Sequence, residues 1–82
     1  MLKRIDFELD DIKLEEARKI QYKLGSNILV YRVFINSYAK KGFIIFDKEK
    51  NPEDIIKEIN HGARIKKEEE ITVEDLIKQS LG

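Results

Sequence analysis

The residues that could do chemistry in this chain are few, and they do not converge. There is no cysteine, which removes thiolate nucleophiles, iron–sulfur clusters and cysteine-type zinc sites. His61 is the one histidine. A metal site needs several converging ligands, and a general base needs a nucleophile beside it. At the end of a predicted helix, His61 suits a capping role, a cation meeting the negative end of the dipole. Ser26, Ser37, Ser80 and Thr72 supply the aliphatic hydroxyls, and none lies in a nucleophile motif. Carboxylates cluster at Asp10, Asp11, Glu15 and Glu16, then at Glu68, Glu69 and Glu70. Hard cations take such oxygens, but the spacing is not that of a calcium loop, and helix starts and a charged strand edge account for both runs. Lys40 and Lys41 precede Gly42, yet the glycines at 25, 42, 62 and 82 are too scattered for a phosphate loop. The expectation is a protein that is not an enzyme, with no cofactor and no metal.

Eighty-two residues make one domain. A chain of this length buries only somewhat more than about 60% of its unfolded surface. Such thin cores often gain a disulfide, a metal or a second subunit, and the first is impossible here. Lys plus Arg and Asp plus Glu are 16 each, so the formal net charge is zero. A neutral chain lacks the field that draws proteins to nucleic acid. Charged residues make up 39%, well above the usual quarter. The Lys, Glu and Ile bias resembles that of proteins from hot-growing organisms, and the chain resembles short proteins of archaeal genomes, which implies no activity. Lys3, Arg4, Asp6 and Glu8 interrupt the N-terminal stretch, so no secretory h-region is visible. The longest uncharged run, Leu24 to Tyr31, is far short of a membrane span. A cytoplasmic protein without a membrane partner is expected.

The elements follow from periodicity. Leu2 to Leu9 alternates, with Ile5, Phe7 and Leu9 on one side and Arg4, Asp6 and Glu8 on the other, which predicts a half-buried strand. Asp10 or Asp11 can cap a helix from about Lys13 to Leu24, with Leu14, Ala17, Ile20, Gln21 and Leu24 on one stripe and Gly25 at the C′ position. Ile28 to Ile35 predicts a strand apolar on both sides: Leu29, Tyr31, Val33 and Ile35 on one, Ile28, Val30 and Phe34 on the other. Phe43 to Phe46 predicts a second two-sided strand, hairpin-linked to it. Asn51-Pro52-Glu53-Asp54 opens a helix that buries Ile55, Ile56 and Ile59. Ala63 to Ile71 predicts a charged edge strand. Thr72-Val73-Glu74-Asp75 resembles a capping box before a helix with Val73, Leu76, Ile77 and Leu81 on one stripe.

The order β-α-β-β-α-β plus a short α predicts an α+β, ferredoxin-like fold with a four-stranded antiparallel sheet and two helices on one face. The first and third strands are then central. The second is an edge, and an apolar edge needs a cover. Either the C-terminal helix folds back over it, or a second subunit pairs along the edge or stacks face to face. Tyr31, Val33, Phe43, Ile45 and Leu76 are the candidate interaction surface, for a homodimer or another protein partner.

Lys41-Gly42-Phe43-Ile44-Ile45-Phe46 is similar to the opening of the RNP1 motif of RNA-recognition-motif domains, which share this element order. That resemblance implies base stacking on the open face, with Lys41 and Phe43 as the RNA-binding residues. Ile45 stands where a second aromatic belongs, and Asp6 and Glu8 would repel phosphate. Metal-carrying proteins of this topology place a cysteine pair after the first strand, where this chain reads Asp10-Asp11-Ile12. Acylphosphatase-like domains and amino-acid-binding ACT-type domains favour glycine there, which is also missing. The leading expectation is a non-enzymatic protein-interaction or self-association module. The alternatives are a single-stranded RNA binder and a small-ligand-sensing regulatory domain.

Overall fold

The alternation of the first nine residues sets up the whole sheet. The computed structural model describes residues 1–81, with side chains through Lys78. The chain runs β1 (Leu2–Glu8), α1 (Leu14–Gly25), β2 (Val30–Asn36), β3 (Lys41–Asp47), α2 (Pro52–Ile59), β4 (Arg64–Ile71) and α3 (Val73–Leu81). The strands form one antiparallel sheet in the order β2-β3-β1-β4. This is the ferredoxin-like arrangement, with β1 and β3 central and β2 and β4 at the edges.

One face of the sheet carries α1 and α2. Ile5, Phe7 and Leu9 of the first strand segment, Ile44 and Phe46 of β3, Ile55 and Ile59 of α2, and Ala17 and Leu24 of α1 form its buried core. The second face is covered at one end only. There Ile45 is fully buried against Leu2 and Ile71, and Leu76 of α3 packs on the group together with Phe43. The C-terminal helix thus folds back over its own sheet, although Val73 and Ile77 of the same stripe stay exposed. Leu81, the last member of that stripe, and Ser80 lie outside the described side chains.

The helix starts follow the side-chain chemistry. Asn51 Oδ1 accepts from the Glu53 N–H at 2.9 Å, with Pro52 at the first helical position. Thr72 Oγ1 accepts from the Asp75 N–H, and Asp75 Oδ2 accepts from the Thr72 N–H, each at 3.1 Å. Asp therefore completes the capping box in place of the longer Glu. His61 Nδ1 lies 2.9 Å from the Ile59 carbonyl oxygen at the end of α2. Helix α1 differs from expectation: Lys13 is its N-cap and makes no side-chain cap. Asp10 and Asp11 are engaged elsewhere, as described below. Gly25 belongs to the helix itself, and Ser26 in αR geometry is the C-cap.

The second strand also departs from simple alternation. Val30 pairs with Phe46 and Arg32 with Ile45, so Tyr31 has no partner and forms a β-bulge. A bulge inserts one residue and reverses the facing of all that follow. Val30, Val33 and Ile35 consequently all face the helices, and Arg32 and Phe34 face the other way. Ile28, read as part of this strand, precedes it and is exposed. The free edge of β2 is partly sealed by α1, since Gln21 Oε1 accepts from the Ile35 N–H at 2.7 Å. The β4 edge has its own bulge at Lys66 and a run of charges from Lys66 to Glu70. Both devices oppose strand addition.

Gly42 is where β2, β3 and β1 come closest. A Cβ there would collide with the Phe34 carbonyl oxygen, and would stand 2.8 Å from the Phe7 ring and 3.1 Å from Ile35 Cα. A backbone carbonyl in a paired sheet cannot move aside. Gly42→Ala should therefore cost about 2 kcal/mol or more in a denaturant titration. Gly25→Ala, whose Cβ would meet only Val33 at 3.6 Å, should instead stabilise by about 0.5–1 kcal/mol, because alanine suits a helix better.

Candidate functional site

The register decides which side chains the second face presents. Arg4, Asp6 and Glu8 of β1 stand opposite Ile45, Phe43 and Lys41 of β3. Phe43 in turn stands opposite Phe34 of β2, and Ile45 opposite Arg32. Beyond the part covered by α3, this face is a cluster of arginine and phenylalanine. The Phe34 and Phe43 rings lie 6.1 Å apart between centroids, tilted by 41°. The Arg4 guanidinium sits 4.2 Å above the Phe43 centroid, and that of Arg32 at 5.8 Å. Guanidinium groups favour such stacking because they are planar and weakly hydrated. Asp6 fixes the Arg4 plane, accepting from Nη2 at 2.9 Å and Nε at 3.3 Å.

Beside this cluster runs an open groove of about 410 Å³, lined by Arg4, Asp6, Glu8, Phe34, Lys41, Phe43 and Lys66 among others. Gly42 and Asn36 also line it. At the opposite end of the sheet, Tyr31 and Met1 meet Val73 at the start of α3. Tyr31 is 52%, Met1 71% and Val73 65% exposed, so this end carries an apolar patch, and Ile77, one turn further along α3 from Val73, is exposed too.

The residues expected to form one interaction surface are divided by this geometry. Phe43, Ile45 and Leu76 are together in the second-face cluster. Tyr31 stands at the rim by Met1 and Val73. Val33 is on the opposite face, packed against the helix-side core, because the bulge shifts it across the sheet. Lys41 and Phe43, the pair in the RNP1-like segment, do share the open face with Arg4 and Asp6. Sequence reading passed over Phe34 and Arg32. Their opposition to Phe43 and Ile45 follows only from the bulged register, although two residues of those types on a strand next to Phe43 were a signal.

The turn after β1 is organised by ion pairs. Asp11 Oδ1 lies 2.6 Å from Lys40 Nζ, and Asp10 Oδ1 lies 3.2 Å from Arg64 Nη1. The hydrogen bond from Lys40, reinforced by its charge, holds the Asp11 carboxyl below its ordinary range, and the same contact raises Lys40. Arg64 Nη1 also donates to the Gly62 carbonyl at 2.9 Å, and the Asp10 N–H donates to the His61 carbonyl at 2.8 Å. These contacts lock the turn to the two loops beside it, and they explain why neither aspartate caps α1.

A family described as "Protein of unknown function (DUF3213)" matches residues 4–82. The chain belongs to DUF3213. Among curated proteins, none matches it. Solved structures do. A copper binding domain from HMA7, a P-type ATPase, superposes with a TM-score of 0.69 at 19% identity, over 82% of this chain and 97% of that one. The CsoZ metallochaperone gives 0.60 at 22% identity, over 79% and 97%. Oxidized MerP from Ralstonia metallidurans CH34 gives 0.66 at 8% identity, over 82% and 100%. At these identities the likeness shows the shared fold. In DUF3213's member here, the turn after β1 does not fit a soft metal ion. It offers two hard carboxylates, each already held by a cation, and the chain has no cysteine. Among the described residues, no three His, Cys, Asp or Glu side chains gather to hold a metal.

The cap that starts α3 sets a pH limit on its docking. Hydrogen bonds from the Thr72 backbone N–H, then its side chain, hold the Asp75 carboxyl below its ordinary value. A depressed carboxylate contributes fully above its unfolded value and is lost as pH falls through the folded one. Chemical shifts of residues 73–78 should therefore move toward coil values in acid, below about pH 4, while the β1–β3 core stays unchanged. Asp75→Ala should show that weakened helix already at neutral pH, with no acid transition.

Proposed function

We propose that this chain is a small, non-catalytic binding module that pairs with a second copy of itself through the apolar end patch. The observation that carries this reading is the patch itself: the bulged Tyr31 is exposed where it lines one pocket with Met1 and Val73, and Ile77, one turn further along α3 from Val73, is exposed as well. An aromatic anchor with aliphatic neighbours and few charges is the usual make-up of an interface centre. Both sheet edges carry devices that oppose strand pairing, so side-chain docking is the open route. Sixteen charges of each sign leave no net repulsion between copies. Phe43, Ile45 and Leu76 act from beneath, fixing α3 so that Val73 and Ile77 are presented. The copper binding domain and the metallochaperone are small binding scaffolds of the same fold, which supports a binding role over a catalytic one. Among the described residues, no helix is long and apolar enough to cross a membrane.

Light scattering behind a sizing column, at tens of micromolar protein, tests the reading. The expected mass is twice the 9.7 kDa of the chain. Tyr31→Ser combined with Ile77→Ser should return the monomer with an unchanged melting temperature, since both side chains are more than half exposed. A wild-type protein that stays at 9.7 kDa across that range would refute it.

A further inference from the structure

We infer that the groove between Phe34 and Lys66 is a binding site for one nucleotide whose base carries an exocyclic amino group. This goes beyond the association proposed above and uses the other end of the sheet face. The site combines three kinds of group that a nucleotide needs and that simpler ligands do not.

The first is a flat platform. Phe34 is 47% exposed and is buttressed by Phe43, itself pinned under Arg4. A planar ring can stack on Phe34 and reach the guanidinium of Arg4, which Asp6 holds in a fixed plane. A single exposed phenylalanine needs no explanation, but one that stands in register beside a second ring and two guanidinium groups is a built surface.

The second is an unspent positive charge. Lys41 and Lys66 line the groove, and neither forms an ion pair among the described residues. Two ammonium groups in one groove suit a phosphate. The neutral total charge of the chain hides this local excess.

The third is a pair of acceptors. Asp6 and Glu8 share the groove lining, and at first sight they oppose an anion. However, Asp6 is neutralised by Arg4, and Glu8 lies 3.8 Å from Arg64 Nη2. A partnered carboxylate repels little and still has lone pairs for an N–H donor. An amino group on the base would satisfy them, whereas a base with a carbonyl in that place would meet oxygen with oxygen. The volume of about 410 Å³ is at the size of a single small-ligand site.

The same chemistry could come from a free nucleotide or from one unit of a single strand, and titration separates them. The full chain is titrated at low salt with adenosine monophosphate, uridine monophosphate, inorganic phosphate and a short oligoadenylate, following amide shifts. Saturable shifts at Phe34, Lys41 and Phe43 are expected with adenosine monophosphate, with weaker binding of uridine monophosphate and none of that pattern with phosphate alone. If the oligoadenylate binds much more tightly, with affinity falling steeply in salt, the source is a strand; equal affinity per unit points to the free nucleotide. Phe34→Ala should weaken binding roughly tenfold, and Lys41→Glu should also weaken it, while the Tyr31→Ser, Ile77→Ser double variant should bind as wild type whatever its oligomeric state. The inference is overturned if neither adenine ligand gives saturable shifts, if phosphate alone reproduces them, or if Phe34→Ala and Lys41→Glu both bind like the parent.

Discussion

Ile45 is buried to the same degree as Ile44 and Phe46, although it points away from α1 and α2. A central strand with apolar side chains on both sides cannot be satisfied by a two-layer fold. Burying an isoleucine side chain is worth on the order of 2 kcal/mol, a large share of the stability of so short a chain. Leu2 on the neighbouring β1 and Ile71, paired with it on β4, supply part of the cover, and Leu76 supplies the rest. The position of α3, the exposure of Val73 and Ile77, and the division of the second face into a covered end and an open end all follow from that one requirement.

The open end is governed by charge pairing. Arg4 covers the Phe43 ring and Asp6 accepts from the edge of its guanidinium, so the parts of a half-apolar, half-charged surface are partnered in place. A methylene-rich lysine at position 4 would lack the planar fork that both contacts use. The whole-chain charge balance of zero says nothing about this arrangement, because it averages a partnered interior of the face with ammonium groups at its margin.

Much of the fold was legible because it is written in local signals. Asn51-Pro52 and Thr72 with Asp75 mark helix starts within four residues of sequence, and the alternation around Ile5 and Phe7 marks the central strand. Where reading failed, the deciding partner was distant. Asp10 and Asp11 look like helix caps until Arg64 and Lys40, brought in by other loops, take their carboxylates. The bulge at Tyr31 is a property of the β2–β3 pairing, so no periodicity within β2 displays it, and strict alternation puts Tyr31 and Val33 on one side where the bulge separates them. The candidate site was legible in its members from β3 and α3, but not in Phe34 or Arg32, which the same slip hides.

The bond from Gln21 to the Ile35 N–H ties the fate of β2 to that of α1. While the helix is seated, the outermost strand of the sheet has a donor already occupied. Should heat lift α1 first, Val30, Val33 and Ile35 lose their cover at the moment this donor is released, and a greasy ribbon with a vacant rim is what seeds intermolecular fibrils. Survival of the chain at high temperature is then a question of how slowly one twelve-residue helix detaches, more than of how stable the sheet is once it has.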